Sequence, residues 1–92
     1  MISFDDCVSL SGLSPEEISA IAEHEHIPEM VAAALASYLI HSEHGPEKIR
    51  NMIVDDIRVA IRERRTEHAA ALFSVLKHFL SNHAKGLTQV GR

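Results

Sequence analysis

Three prolines divide this 92-residue chain, and each stands where a helix can begin. Pro15 follows Ser14 and precedes Glu16 and Glu17. A serine that caps the third amide, a proline whose missing N–H costs nothing at the first helical position, and a glutamate reaching back to the cap form a full helix start. Ile18, Ile21 and Ala22 then recur at helical spacing. Pro28 ends or kinks that helix, because the residue before a proline is pushed out of the α region. A second helix is predicted from about Pro28 to His44, with Gly45 as its stop and Pro46 opening the next helix at once. That next helix carries Ile49, Ile53, Ile57, Ala60 and Ile61 on one face. It breaks near Arg65, where Thr66 before Glu67 reads as a fresh cap. The last helix carries Ala69, Leu72, Phe73, Leu76, Phe79 and Leu80 as a wide apolar stripe and stops at Gly86. Upstream, Ser3 to Asp6 has the form of a capping box and predicts a short helix ending near Gly12.

No apolar/polar alternation flanked by hairpin residues occurs, so no strand is expected. Aromatic residues are few (Phe4, Tyr38, Phe73, Phe79), which leaves the core to Leu, Ile, Val, Met and Ala. The expected fold is all-α: a compact bundle of four main helices with a short N-terminal one. A single domain is predicted over residues 1–86, with 87–92 as a frayed tail. The Pro28–His44 helix is apolar on more than one face, and Ala32, Ala33, Ala34 and Ala36 permit close approach. It is therefore predicted to be the central helix, packed from several sides. A chain this short buries only about 60–65% of its unfolded surface, so self-association would thicken a thin core.

Charge is segregated. Residues 1–47 hold nine acids and no Lys or Arg, whereas 48–92 hold all nine basic residues and four acids. Such asymmetry points to an electrostatic partner inside or outside the molecule. Arg58, Arg62 and Arg65, spaced by four and three with Arg64 nearby, are predicted to form a docking stripe. Guanidinium forks suit carboxylates, so the stripe fits an acidic protein surface. The acidic region around Glu16, Glu17, Glu23 and Glu25 is expected to meet the basic end of the Pro46–Arg65 helix. It would do so within the chain, or twice across the two-fold axis of a homodimer. Exposed pairs contribute at most about 1 kcal/mol each, so apolar burial would supply the association and charge its orientation.

The same pattern excludes other partners. Ser14–Leu39 has a helix-turn-helix outline, but the second helix opens Pro28-Glu29-Met30-Val31 and carries no cation, so nucleic acid is not expected. The longest apolar run, Met30 to Ile40, is too short for a bilayer, and no secretory leader opens the chain. A cytoplasmic protein that binds no membrane is expected.

Seven histidines raise the question of a metal. Glu23 and His26 stand three apart, as do His41 and His44, so each pair shares a helical face. These four are the candidate ligands of the alternative reading, an iron- or zinc-binding helical bundle. Isolated Glu/His spacing is a weak signal, and no cofactor is predicted on its strength. Cys7, beside Asp5 and Asp6, lacks the cationic surroundings of a reactive thiolate. Phosphate loops, nucleophile elbows and zinc-finger spacings are absent, so nothing argues for an enzyme.

Phe4-Asp5-Asp6-Cys7, Gly12 to Glu17, Ile21 to Pro28 and Ile53 to Ile57 together resemble a group of small bacterial helical proteins. The resemblance spans most of the chain. It implies a bacterial, stand-alone helical protein and carries no activity, cofactor or catalytic residue. The functional expectation is thus a small non-enzymatic helical interaction protein, homo-oligomeric, with acidic and basic halves.

Overall fold

A computed structural model describes residues 12–83. They form four helices, α1 (Pro15–Glu25), α2 (Glu29–Ile40), α3 (Gly45–Arg62) and α4 (Thr66–Asn82), with no strand among the described residues. The all-α bundle of four main helices is as expected. The short leading helix, Cys7, the Gly86 stop and the 87–92 tail lie outside the described residues.

α1 begins with both halves of its capping box. The Glu17 amide donates to Ser14 Oγ at 3.1 Å, and the Ser14 amide donates to Glu17 Oε1 at 2.9 Å. It ends ahead of Pro28, where His26 turns left-handed at φ 59° and the Ile27 amide reaches back to the Ala22 carbonyl at 3.1 Å. Pro28 then takes the cap position of α2.

α2 is shorter than its sequence suggests. It stops at Ile40 and not at His44, because two side chains take its last carbonyls. His41 Nδ1 donates to the Ser37 carbonyl at 2.8 Å, and Ser42 Oγ donates to the Tyr38 carbonyl at 2.6 Å. Gly45 is not the stop either. The left-handed residue is His44, at φ 62°, and Gly45 is the buried first residue of α3. Its hydrogen faces the end of α2, where a Cβ would lie 1.4 Å from the Leu39 carbonyl oxygen. Pro46 sits in the first turn of α3, as expected.

The α3–α4 connection also differs in detail. Arg64 adopts φ 62°, and the Arg65 amide folds back to the Ala60 carbonyl at 2.8 Å. Arg65 is the cap of α4, Thr66 is its first helical residue, and no side chain caps the end. A sharp reversal at Arg64 thus replaces the expected Thr66 cap.

The core joins all four helices. Ile18 and Ile21 of α1, Ile49 and Ile53 of α3 and Phe79 of α4 are fully buried together with Ala32, Ala33 and Ala36 of α2. α1 and α3 each pack against all three other helices, whereas α2 packs chiefly on α1 and α3. The centre is therefore α1 with α3, and not α2. Two predicted core positions face outward: Ile61 is 60% and Phe73 53% exposed. Each directly follows a buried residue in its helix, Ala60 or Leu72, and a step of 100° carries it past the edge of the contact. Lys77 lies over the Phe73 ring, 5.9 Å from its centroid.

Candidate docking surfaces

Among the described residues the acidic and basic halves meet through histidines, not arginines. Glu17 is 1% exposed, and while Oε1 holds the Ser14 amide, Oε2 accepts from His78 Nδ1 at 2.9 Å. Two turns along α1, Glu23 Oε2 accepts from His68 Nε2 at 2.7 Å. His24 bridges α1 to α3, with Nδ1 3.1 Å from Glu25 and Nε2 4.0 Å from Asp55. Between the two Glu–His pairs runs a groove of about 270 Å³ floored by Ala20, Ala71, Leu72 and Val75 and edged by Glu16 and Glu23. The charge pattern pointed the acids of α1 toward the basic end of α3, whereas their partners among the described residues are on α4. It did not identify His68 and His78, which flank the apolar stripe of α4 and carry no spacing signal of their own.

Asp56 is the electrostatic anomaly of this region. Its Oδ2 is sealed from solvent and has no hydrogen-bond partner among the described residues, although the residue as a whole is half-buried. Burial pushes its carboxyl above the ordinary range; His24 pulls it down, and Glu23 and Asp55 push it further up. A carboxyl whose folded value is raised favours the fold most below its unfolded value near 3.8, and that contribution is lost as pH rises through the folded value. Asp56→Asn, which mimics the protonated acid, should therefore stabilise the protein at pH 7. Solvent screening limits the gain to about 0.5 kcal/mol. The gain should vanish below pH 3.8. Urea melts at the two pH values read this directly, and a variant less stable than the parent at pH 7 would refute the assignment.

At the far end of the seam, His83 stacks on Phe79 with ring centroids 4.6 Å apart. Burial lowers its imidazole below the ordinary range, with Glu17 opposing and His78 adding to the shift. It is the half-buried core-edge residue its place on the α4 stripe suggests.

The four candidate metal ligands have separate surroundings. Glu23 engages His68, and His26 is the exposed left-handed residue after α1. His41 caps α2, and His44 Nδ1 lies 2.5 Å from Glu47 Oε1. Among the described residues no group of three or more His, Cys, Asp or Glu side chains is placed to hold a metal ion.

The arginines are left over. Arg58, Arg62, Arg64 and Arg65 are all exposed. Among the described residues only Arg65 has a carboxylate in reach, Glu63 at 3.7 Å. Arg58 and Arg62 share a face of α3 with the exposed Ile61. Arg65 lies past the helix end, beyond the Arg64 reversal, so the row does not continue as one helical stripe. Beside it, Arg64, Arg65, Thr66, Glu67 and His68 line a polar cleft of about 350 Å³. None of the described helices is long and apolar enough to cross a membrane. No protein family, curated protein or solved structure matches the chain.

Proposed function

We propose that this is a small non-enzymatic interaction protein, dimeric in solution, that docks an acidic protein surface on Arg58, Arg62 and Arg65. The supporting observation is the division of labour among its cations. Histidines engage the carboxylates of α1, and the arginines at the α3–α4 turn engage none of them. Four exposed guanidiniums beside an uncapped helix start form a positive end on a molecule of net charge −4. Guanidinium forks pair with carboxylates in two-point contacts, and the exposed Ile61 stands beside Arg58 at the edge of that face. Such charges set the speed and orientation of docking more than its strength. Duplex DNA fits less well, because the nine acids of residues 1–47 oppose phosphate.

The test is fluorescence anisotropy with a labelled polyglutamate peptide at near-physiological salt. The parent protein should bind it, weaken as salt is raised, and lose binding in the Arg58→Glu, Arg62→Glu, Arg65→Glu variant. Equal binding by that variant, or tighter binding of the parent to duplex DNA, would overturn the proposal.

A further inference from the structure

The groove between α1 and α4 is longer than its largest hollow. The hollow floored by Ala20, Leu72 and Val75 adjoins a second of about 250 Å³, reaching Ser14, Ser74 and His78, and Glu16 and Val75 belong to both. Together they run from His68 to His78, about 15 Å along α4 at the rise of an α-helix. Small residues make the space: Ser19 and Ala20 on one wall, Ala71 and Ser74 on the other. The charge of the groove has one sign. Its lining contains no Lys or Arg, and His68 and His78 already engage Glu23 and Glu17. Glu16 and Glu23 stand exposed on the rim, seven residues apart and so two turns along one face of α1. The Glu16 carboxylate has no partner among the described residues.

We propose that this groove docks an amphipathic helix of another protein, one whose apolar stripe is flanked by two Lys or Arg residues at the spacing of Glu16 and Glu23. The apolar floor takes the stripe, and the two cations meet the two carboxylates. The small side chains of the walls let such a helix come close, as ridges packed into grooves require. Charge complementarity selects this occupant. A nucleic acid or an anionic lipid surface would set its phosphates against Glu16 and Glu23. An uncharged apolar helix would bury both carboxylates without a counter-charge. A second copy of the chain does not supply the match, because none of the described helices carries two Lys or Arg residues seven apart. The groove uses none of Arg58, Arg62 and Arg65, so a cationic helix and an acidic surface can occupy the same molecule.

Fluorescence anisotropy with the full chain tests this. The probe is a labelled helical peptide of Leu and Ala, about 15 residues long, with two lysines at the spacing of Glu16 and Glu23. The parent should bind it and ignore the same peptide with glutamates in place of the lysines. Ala71→Lys fills the groove and sets a cation in it at an exposed position. It should weaken binding by about tenfold or more and leave the helical circular dichroism unchanged. Ala70→Lys adds the same charge at the neighbouring exposed residue, which does not line the groove, and should bind nearly as the parent does. Glu16→Gln should weaken binding by about two- to fivefold. The Arg58→Glu, Arg62→Glu, Arg65→Glu variant should bind this peptide no more weakly than the parent, whatever it does with polyglutamate. No saturable binding by the parent, or equal losses from Ala70→Lys and Ala71→Lys, overturns the proposal. So does sedimentation equilibrium in which the parent self-associates and Ala71→Lys alone separates it, because the groove would then hold a second copy.

Discussion

Gly45→Ala is expected to lose about 3 kcal/mol or more of folding stability, a large fraction of the roughly 5–15 kcal/mol that holds a small domain folded. Two readings of this glycine give opposite signs. Gly45 is the first residue of a helix, and helix propensity alone predicts that alanine stabilises by up to about 1 kcal/mol. The structure predicts a loss, because the new methyl would lie 1.4 Å from the Leu39 carbonyl oxygen, 2.4 Å from its carbon and 3.3 Å from its Cα. Those atoms are backbone at the buried end of α2, so relief requires α2 and α3 to separate. Urea denaturation of the variant decides between the two. A midpoint equal to or above that of the parent would mean that the α2–α3 junction is looser than described.

The second large effect is expected at Glu17. Glu17→Ala removes the acceptor of the Ser14 amide and of His78 at once, at a residue that is 1% exposed. Loss of a helix-start cap and of a charge-assisted hydrogen bond together predict about 2–3 kcal/mol of destabilisation. Glu17→Gln keeps an oxygen for one of the two donors and should lose less. His78→Ala should lose less still, because that imidazole is 57% exposed while the carboxylate is enclosed. The order of the three urea midpoints is the test. His78→Ala as costly as Glu17→Ala would place the energy in the ring and not in the buried acid.

Helix starts were the most legible part of this sequence. Ser14, Pro15 and Glu17 specify α1 through local hydrogen bonds alone, and Pro46 marks the first turn of α3. Helix ends were less legible. The pattern of a terminal glycine suggested that Gly45 would take the left-handed turn, but His44 takes it, and Gly45 is needed for its missing side chain. The three left-handed residues between helices are His26, His44 and Arg64; histidine is enriched at positive φ, but seven histidines do not say which ones turn, and arginine carries no such preference. Apolar periodicity found the buried faces and overshot at their margins, Ile61 and Phe73, where one residue's rotation separates core from solvent. The alanine-rich composition of α2 pointed to the middle of the bundle. The structure shows the same composition at a bundle edge, a position that local patterning does not distinguish. For the candidate site, the charges directed the acids of α1 to the arginines of the α3–α4 turn, which engage none of them among the described residues. The partners those acids do find, His68 and His78, come from tertiary placement.

The Glu17–His78 contact also sets the order in which the chain can assemble. The two residues are 61 positions apart, and Glu23 and His68 are 45 apart. α3 and α4, in contrast, are joined by the three residues 63–65 and share the most extensive helix contact in the protein. Chain-closure entropy rises with loop length, so the α3–α4 hairpin is expected to form first and the seating of α1 against α4 late. An interaction made after the rate-limiting barrier holds the folded state without hastening its formation. On that order the buried acid is a latch on the finished bundle: its removal should leave the refolding rate nearly unchanged and shorten the lifetime of the native state, which stopped-flow refolding and unfolding of Glu17→Ala would check.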